Sequence, residues 1–320
     1  MTTADPDLAA ELARRLGRKH PVAAVATLAP SGTRTAVIGA SMDADFEIGS
    51  ISKGITGLLY TDACSRGDVT PETTLGDLLP LADSQVGSVT LSSLSTHTSG
   101  LPRLPPDAHA FRRTLRLWRH GTNPYGETVD DLMTQAQDIR LSTTKPRYSN
   151  VGFELLGHAV AHAAGLNYQD LLAERLSDPL GLDSIYAPSR PEELRQTAVA
   201  GVDRLGRSRQ PWTGAGIAPA GGIRASIDDL ASLGRALLDS SAPGAGALDP
   251  VRTFTGGLRI GAAWFTFDLR GRQITWHNGG TGGFRSLIAL DLRAGTAVVL
   301  LSATSRSVDG HGFRLLQELG

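Results

Sequence analysis

A chain of 320 residues, 41% hydrophobic and 20% charged, can build one large core or two modest ones, and a formal charge of −1 gives no electrostatic grip on nucleic acid or an acidic membrane surface. One cysteine, Cys64, excludes an internal disulfide and any multi-cysteine metal site. Three of the 31 basic residues are lysines (Lys19, Lys53 and Lys145), so plain positive charge is carried by Arg, which keeps its proton near neutral pH where a buried Lys can lose it.

Residues 5–18 open with acids and alternate as an amphipathic helix. Two strands follow, 22–28 and 34–40, joined by the hairpin chemistry of PSGT. Arg14, Arg15, Arg18 and Lys19 ahead of VAAVATLA mimic a short export signal. The apolar run is β-rich and a second strand succeeds it, so helix, strand, turn, strand is the simpler account, and the expected location is the cytoplasm. No apolar run approaches the ~18 residues of a membrane span.

A helix over 50–66 starts at Ser50 and stops before Gly67. The stretch 67–220 is rich in Pro and Gly, with helices over 151–165 and 168–180. Ser226 caps a helix over 226–240 with Asp228 and Asp229 in its first turn, and 241–250, SAPGAGALDP, reads as a flexible connector. AAWFTFDL, RQITWHNG, FRSLIALDL and TAVVLLSAT read as strands, and 309–319 as a closing helix. The predicted fold class is α+β: an antiparallel sheet from both chain ends, flanked by terminal helices, with a mostly helical region inserted. Residues 1–66 and 221–320 form the sheet domain, 67–220 the insert, and the site is expected at their seam.

The chemistry starts at Ser50 and Lys53. Positions i and i+3 share a helix face, the helix N-terminus favours a developing alkoxide, and a desolvated lysine can take up a serine proton. Taken alone, the segment leaves open a plain helix cap and a solvated lysine. Ser142 and Lys145 repeat the S-x-x-K spacing, but Pro146 prevents a buried helix there. Cys64 reads as a small packed side chain. Arg112, Arg113, Arg116 and Arg119 around Trp118 read as a solvated helix face. His158 and His162 stand four apart without a local carboxylate or cysteine, so no metal is expected; no phosphate loop or dinucleotide fingerprint is present.

Five motifs in order, FEIGSISKGITG, VTLSSLSTHTSGLP, YSNVGFELLG, APAGGIRASIDDL and WHNGGTGGF, resemble the serine β-lactamase and penicillin-binding-protein superfamily over nearly the whole chain. The similarity is to its class C-like branch of esterases, D-aminopeptidases and transacylases. It implies that Ser50 is the acylated nucleophile, Lys53 its proton partner and Tyr148 a second proton carrier whose phenolate a Lys53 ammonium would favour; which of the two is the base stays open. Asn150 would donate to a substrate carbonyl and to Lys53; read from the residues alone it is a helix cap before VGFELLG, and the two can hold together. His277, Asn278, Gly279 and Gly280 would line the substrate strand, with the backbone N–H groups of Ser50 and Gly280 as oxyanion hole.

Antibiotic-hydrolysing members usually carry Lys where this chain has His277, which points toward the esterase and aminopeptidase branches; Arg285 could supply charge if it faced the cleft. His97 reads as structural. The expected activity is acyl transfer from a small-molecule ester or amide without a cofactor, nucleic acid or membrane partner. A biosynthetic transacylase or thioesterase, then a β-lactamase or D-Ala-D-Ala carboxypeptidase, then a silent binding module are the alternatives. Substrate choice is assigned to the loops 101–147 and 203–220, and the sequence specifies no oligomeric state.

Overall fold

The structure, a computed structural model, describes residues 5–104, 121–124, 128–142 and 145–319. Its strands are β1 (Ala23–Ala29), β2 (Gly32–Ile38), β3 (Asp45–Glu47), β4 (Arg224–Ser226), β5 (Arg252–Thr255), β6 (Leu258–Ile260), β7 (Phe265–Leu269), β8 (Arg272–Gly280), β9 (Arg285–Asp291) and β10 (Thr296–Ser302). Eight of them form one antiparallel sheet in the order β2-β1-β10-β9-β8-β7-β6-β5. The chain ends meet where β1 lies against β10, Val25 opposite Leu300. The sheet thus has the origin that the sequence predicts.

Both faces of the sheet are covered, which is why all seven residues of β10 are buried. One face receives the helices Pro6–Leu16 and Asp309–Glu318, whose Leu8, Leu12, Leu16, Leu315 and Leu316 pack on Val25, Leu287 and Leu300. The first is capped by Asp5, which accepts the Leu8 N–H at 2.9 Å and also pairs with Arg34 of β2. Arg15 joins the two helices through Glu318. The other face packs on the helices Ile51–Arg66 and Ile227–Leu238 and grades into the main core.

Four features differ from the sequence reading. The strand expected from Ala262 begins at Phe265, because Ala263 takes φ +70° and breaks the extension. The hairpin β5–β6 was not predicted. Residues 241–250 are packed rather than a loose connector: Ala245–Leu248 form a helical turn with Ala247 and Leu248 buried, and a Cβ on Gly244 would stand 2.0 Å from the Leu58 carbonyl oxygen. Small residues that suggested looseness instead permit close contact with the Ser50 helix.

The fourth feature is a two-stranded sheet of β3 and β4, with a buried charge cluster at its centre. Arg224, 1% exposed, donates to the Asp45 carboxylate, to Glu47 Oε1 at 3.4 Å and to the carbonyls of Asp45 and Val199. Thr197 and Tyr186 complete the shell of Asp45. Removing one partner of so buried a pair typically costs about 3–5 kcal/mol. The cluster ends three residues before Ser50, so it fixes the path into the Ser50 helix.

Candidate active site

Two glycines on facing elements shape the turn at Ser50. Gly49 has φ +52°, and a Cβ there would stand 2.6 Å from the Gly280 nitrogen. A Cβ on Gly279 would stand 1.9 Å from the Ile48 carbonyl oxygen, which accepts from Ser286 Oγ at 2.7 Å. Backbone lies directly on backbone between residues 48–49 and β8, and a side chain at either glycine would part them.

Beyond Gly49 the chain enters the helix with Ser50 at φ −67°, ψ −3°, and its side chain makes no capping bond. The Ser50 hydroxyl is therefore not spent on the helix end. It is half-buried and accepts from Lys53 Nζ at 3.1 Å.

Ile51 through Tyr60 are all buried, so Lys53 has no route for its charge to reach water. Its amine donates to Ser50 Oγ and to the Ala220 carbonyl on the turn Ala218–Gly221. Burial is the main force pulling its pKa from 10.5 to about 7; Glu154 opposes that fall and Arg103 adds to it. Amine and ammonium are thus both populated near neutrality, within reach of the serine proton.

Tyr148 stands two residues before the helix Asn150–Ala163. Its ring centroid lies 5.0 Å from Lys53 Nζ, 4.5 Å from the His97 ring centroid and 5.8 Å from the guanidinium carbon of Arg103. The next helix, Asn150–Ala163, is capped by Ser149, whose Oγ accepts the Gly152 N–H at 2.9 Å and donates to the Pro102 carbonyl at 2.6 Å. This corrects the expectation that Asn150 is the cap. Asn150 is the first helical residue, buried, with its backbone N–H on the Arg103 carbonyl at 3.0 Å.

His97, read as structural, holds this motif from behind. It sits at φ +56°, buried, and its Nδ1 accepts the Ser149 N–H at 3.3 Å. Sequence reasoning missed Glu154, a carboxyl 2% exposed one turn after Asn150. Burial pushes its pKa up to about 8, against the pull of Lys53. A lone acid in the apolar run VGFELLG was its signal. Sequence reasoning also missed Arg103, which no local pattern marks.

On β8, alternation sends neighbours to opposite faces. His277 turns inward, 1% exposed, its ring centroid 5.7 Å from that of Phe265. Nδ1 bonds the Asn278 carbonyl at 2.8 Å, and Nε2 has no partner among the described residues. Burial, aided by the Lys53 charge, lowers its pKa to about 3, so the ring is neutral.

Asn278 turns the other way and donates to Asp309 Oδ2 at 3.0 Å, at the start of the C-terminal helix. Its side chain thus points away from the His277 face of the strand, on which the sequence reading placed it. Arg285 shares that outer face: its Nη1 would be 2.3 Å from a Cβ on Gly280 and donates to the carbonyls of Thr281 and Phe284. It supplies no charge to the His277 side of the sheet.

The structure thus brings Ser50, Lys53 and Tyr148 together, sets Asn150 at the adjoining helix start, and lays His277, Gly279 and Gly280 alongside. His158, outside this group, bonds the Ala215 and Gly216 carbonyls. Among the described residues no cluster of three or more metal-capable side chains occurs. No helix among them is long and apolar enough to cross a membrane. Cys64 is free and packs beside the main core. The basic cluster Arg112, Arg113, Arg116, Arg119 with Trp118 lies outside the described residues, as do Thr143 and Thr144 of the second S-x-x-K match.

Among solved structures, a β-lactamase/D-alanine carboxypeptidase from Pseudomonas syringae superposes with a TM-score of 0.83 at 19% identity, covering 98% of this chain and 99% of that one. In sequence, the D-alanyl-D-alanine-carboxypeptidase/endopeptidase AmpH of Escherichia coli (strain K12) is 30% identical over 164 residues. That alignment takes in 50% of this chain and only 41% of AmpH, so under half of that relative is spanned. Penicillin-binding protein 4 of Amycolatopsis lactamdurans is 28% identical over 301 residues, 85% of this chain and 74% of its own length. The family model described as Beta-lactamase matches residues 9–318, and the chain belongs to that family.

Proposed function

We propose that the protein is a serine hydrolase or acyltransferase that works through an acyl-enzyme on Ser50. The observation that carries this reading is the buried Lys53 amine, poised near neutrality and 3.1 Å from the Ser50 hydroxyl. In the proposed reaction Ser50 Oγ gives up its proton as it attacks an ester or amide carbonyl. Lys53 Nζ, backed by Tyr148, receives that proton and returns it to the leaving group. The oxyanion meets the backbone N–H groups of Ser50 and Gly280, a reading supported by the close approach of Gly49 to the Gly280 nitrogen; such donors are worth roughly 3–4 kcal/mol of barrier. Water, or an amine or alcohol, then releases the acyl group.

For substrate we propose a small ester or amide. The neutral His277 favours this over antibiotic hydrolysis, because an uncharged imidazole holds a carboxylate less firmly than an ammonium. A D-Ala-D-Ala carboxypeptidase or β-lactamase is the second reading, favoured by the names of the relatives. A fluorophosphonate probe tests the common chemistry: mass mapping should place the adduct on Ser50 and Ser50→Ala should lose it. Wild-type protein that takes up no probe over pH 6–9 would refute the acyl-enzyme. Chromogenic esters, D-amino acid anilides and a chromogenic β-lactam then separate the substrate readings.

A further inference from the structure

Arg103 lies in the short run Leu101-Pro102-Arg103-Leu104, and its backbone is held from two sides. Its carbonyl accepts the Asn150 N–H at 3.0 Å, and the preceding Pro102 carbonyl accepts from Ser149 Oγ at 2.6 Å. The loop is thus tied to the first turn of the Tyr148 motif. From there the exposed guanidinium sits over the Tyr148 ring, 5.8 Å from its centroid. Its guanidinium makes no hydrogen bond or ion pair among the described residues, so that charge is not neutralised by a carboxylate there. Lys53 approaches the same ring to 5.0 Å.

We propose that Arg103 is a positioning residue of the acyl-transfer site, whose fixed charge above Tyr148 keeps Lys53 and Tyr148 both poised to accept a proton. The inference rests on the acyl-enzyme reading of Ser50. A positive charge beside an amine favours the neutral amine, and beside a phenol it favours the phenolate. Both effects make the proton acceptor available at lower pH, whichever of the two residues is the base. The other titratable groups around the pair do not supply this charge. His97 and His277 are buried and neutral, and Glu154 is a buried carboxyl held largely protonated at neutral pH. Lys53 itself must shed its charge to act. The Arg103 guanidinium provides what these groups cannot.

The test reads the rate of Ser50 phosphonylation by an uncharged fluorophosphonate against pH, so no substrate need be known. For wild type the rate should rise through a midpoint near the Lys53 value of about 7. In Arg103→Gln the midpoint should move up by about one pH unit, the scale of removing one positive charge from beside the Lys53–Tyr148 pair in a partly solvated setting. Arg103→Lys should restore it to within about 0.3 unit. Raising the salt concentration should shift wild type upward and leave Arg103→Gln nearly still, since an exposed charge is screened. A purely structural role would lower the rate in Arg103→Gln and leave the midpoint in place. That result, or a wild-type midpoint insensitive to salt, overturns the inference. Wild-type protein unlabelled at every pH overturns the acyl-enzyme reading itself, and the inference with it.

Discussion

Lys53→Met should make the protein more stable at neutral pH while removing its reactivity. The side chain is fully buried and its pKa falls from 10.5 to about 7. That fall corresponds to about 5 kcal/mol of preference against the charged form. An unfolded chain carries this lysine protonated up to about pH 10.4. Between pH 7 and that value the unfolded state holds a proton that the folded state has released, so stability contributed by this site rises with pH. Below pH 7 the full penalty is present; above about pH 10.4 it is gone. Integrated from pH 7 to pH 9, the wild type gains about 2 kcal/mol relative to Lys53→Met, because a methionine has no such term. Urea denaturation of both proteins at the two pH values measures it, in a Glu154→Gln background so that the one titrating carboxyl coupled to Lys53 does not add to the difference. Two stability–pH curves running parallel from pH 7 to 9 would mean that the amine is not desolvated in the folded state, and the account of its reactivity would fall with it.

Glu154→Gln should gain on wild type as pH rises from 5 to 8. The folded carboxyl titrates near 8, so wild type loses the benefit of its buried proton across that window, and the amide does not; a constant offset in urea midpoints would contradict this. Gly49→Ala should cut Ser50 labelling by at least about tenfold, since its Cβ meets the Gly280 nitrogen at 2.6 Å and must part the nucleophile from β8; labelling at the wild-type rate would show that this contact does not set the site. Asn278→Ala should cost about 1 kcal/mol of stability through its lost bond to Asp309 and leave the labelling rate within about twofold. A large rate loss at unchanged stability would return that side chain to the substrate.

Six of the eight strands of the large sheet, and the helices that flank it, could be read because each carries a clear local pattern; β5 and β6 are too short and exposed to show one. β10 is a continuous apolar run and Pro6–Leu16 repeats at helical spacing with a capping Asp. β3 and β4 could not, since three residues hold too little pattern and their pairing depends on Arg224 finding Asp45 across 179 positions. At the site, Ser50 and Lys53 follow from spacing within one helix. Tyr148 has no such internal signal and rests on the likeness to a family. Asn278 was misplaced although the remedy was at hand: His277 and Asn278 are neighbours on a strand, and only one of them can face inward. Arg103 escaped because its meaning lies in the ring above which it sits, a relation of tertiary structure alone.

The seam between β1 and β10 has a consequence for biosynthesis. During translation, residues 23–29 can pair on one flank with β2 once residue 38 has emerged, while the other flank stays bare until residue 302 follows, more than 270 positions after Ala29. The nascent polypeptide must carry that open flank through most of its synthesis, a delay that makes folding slow and invites strand-to-strand aggregation or chaperone capture. The same delay withholds a finished nucleophile from the cell until β8, which presses on Gly49, has itself been made.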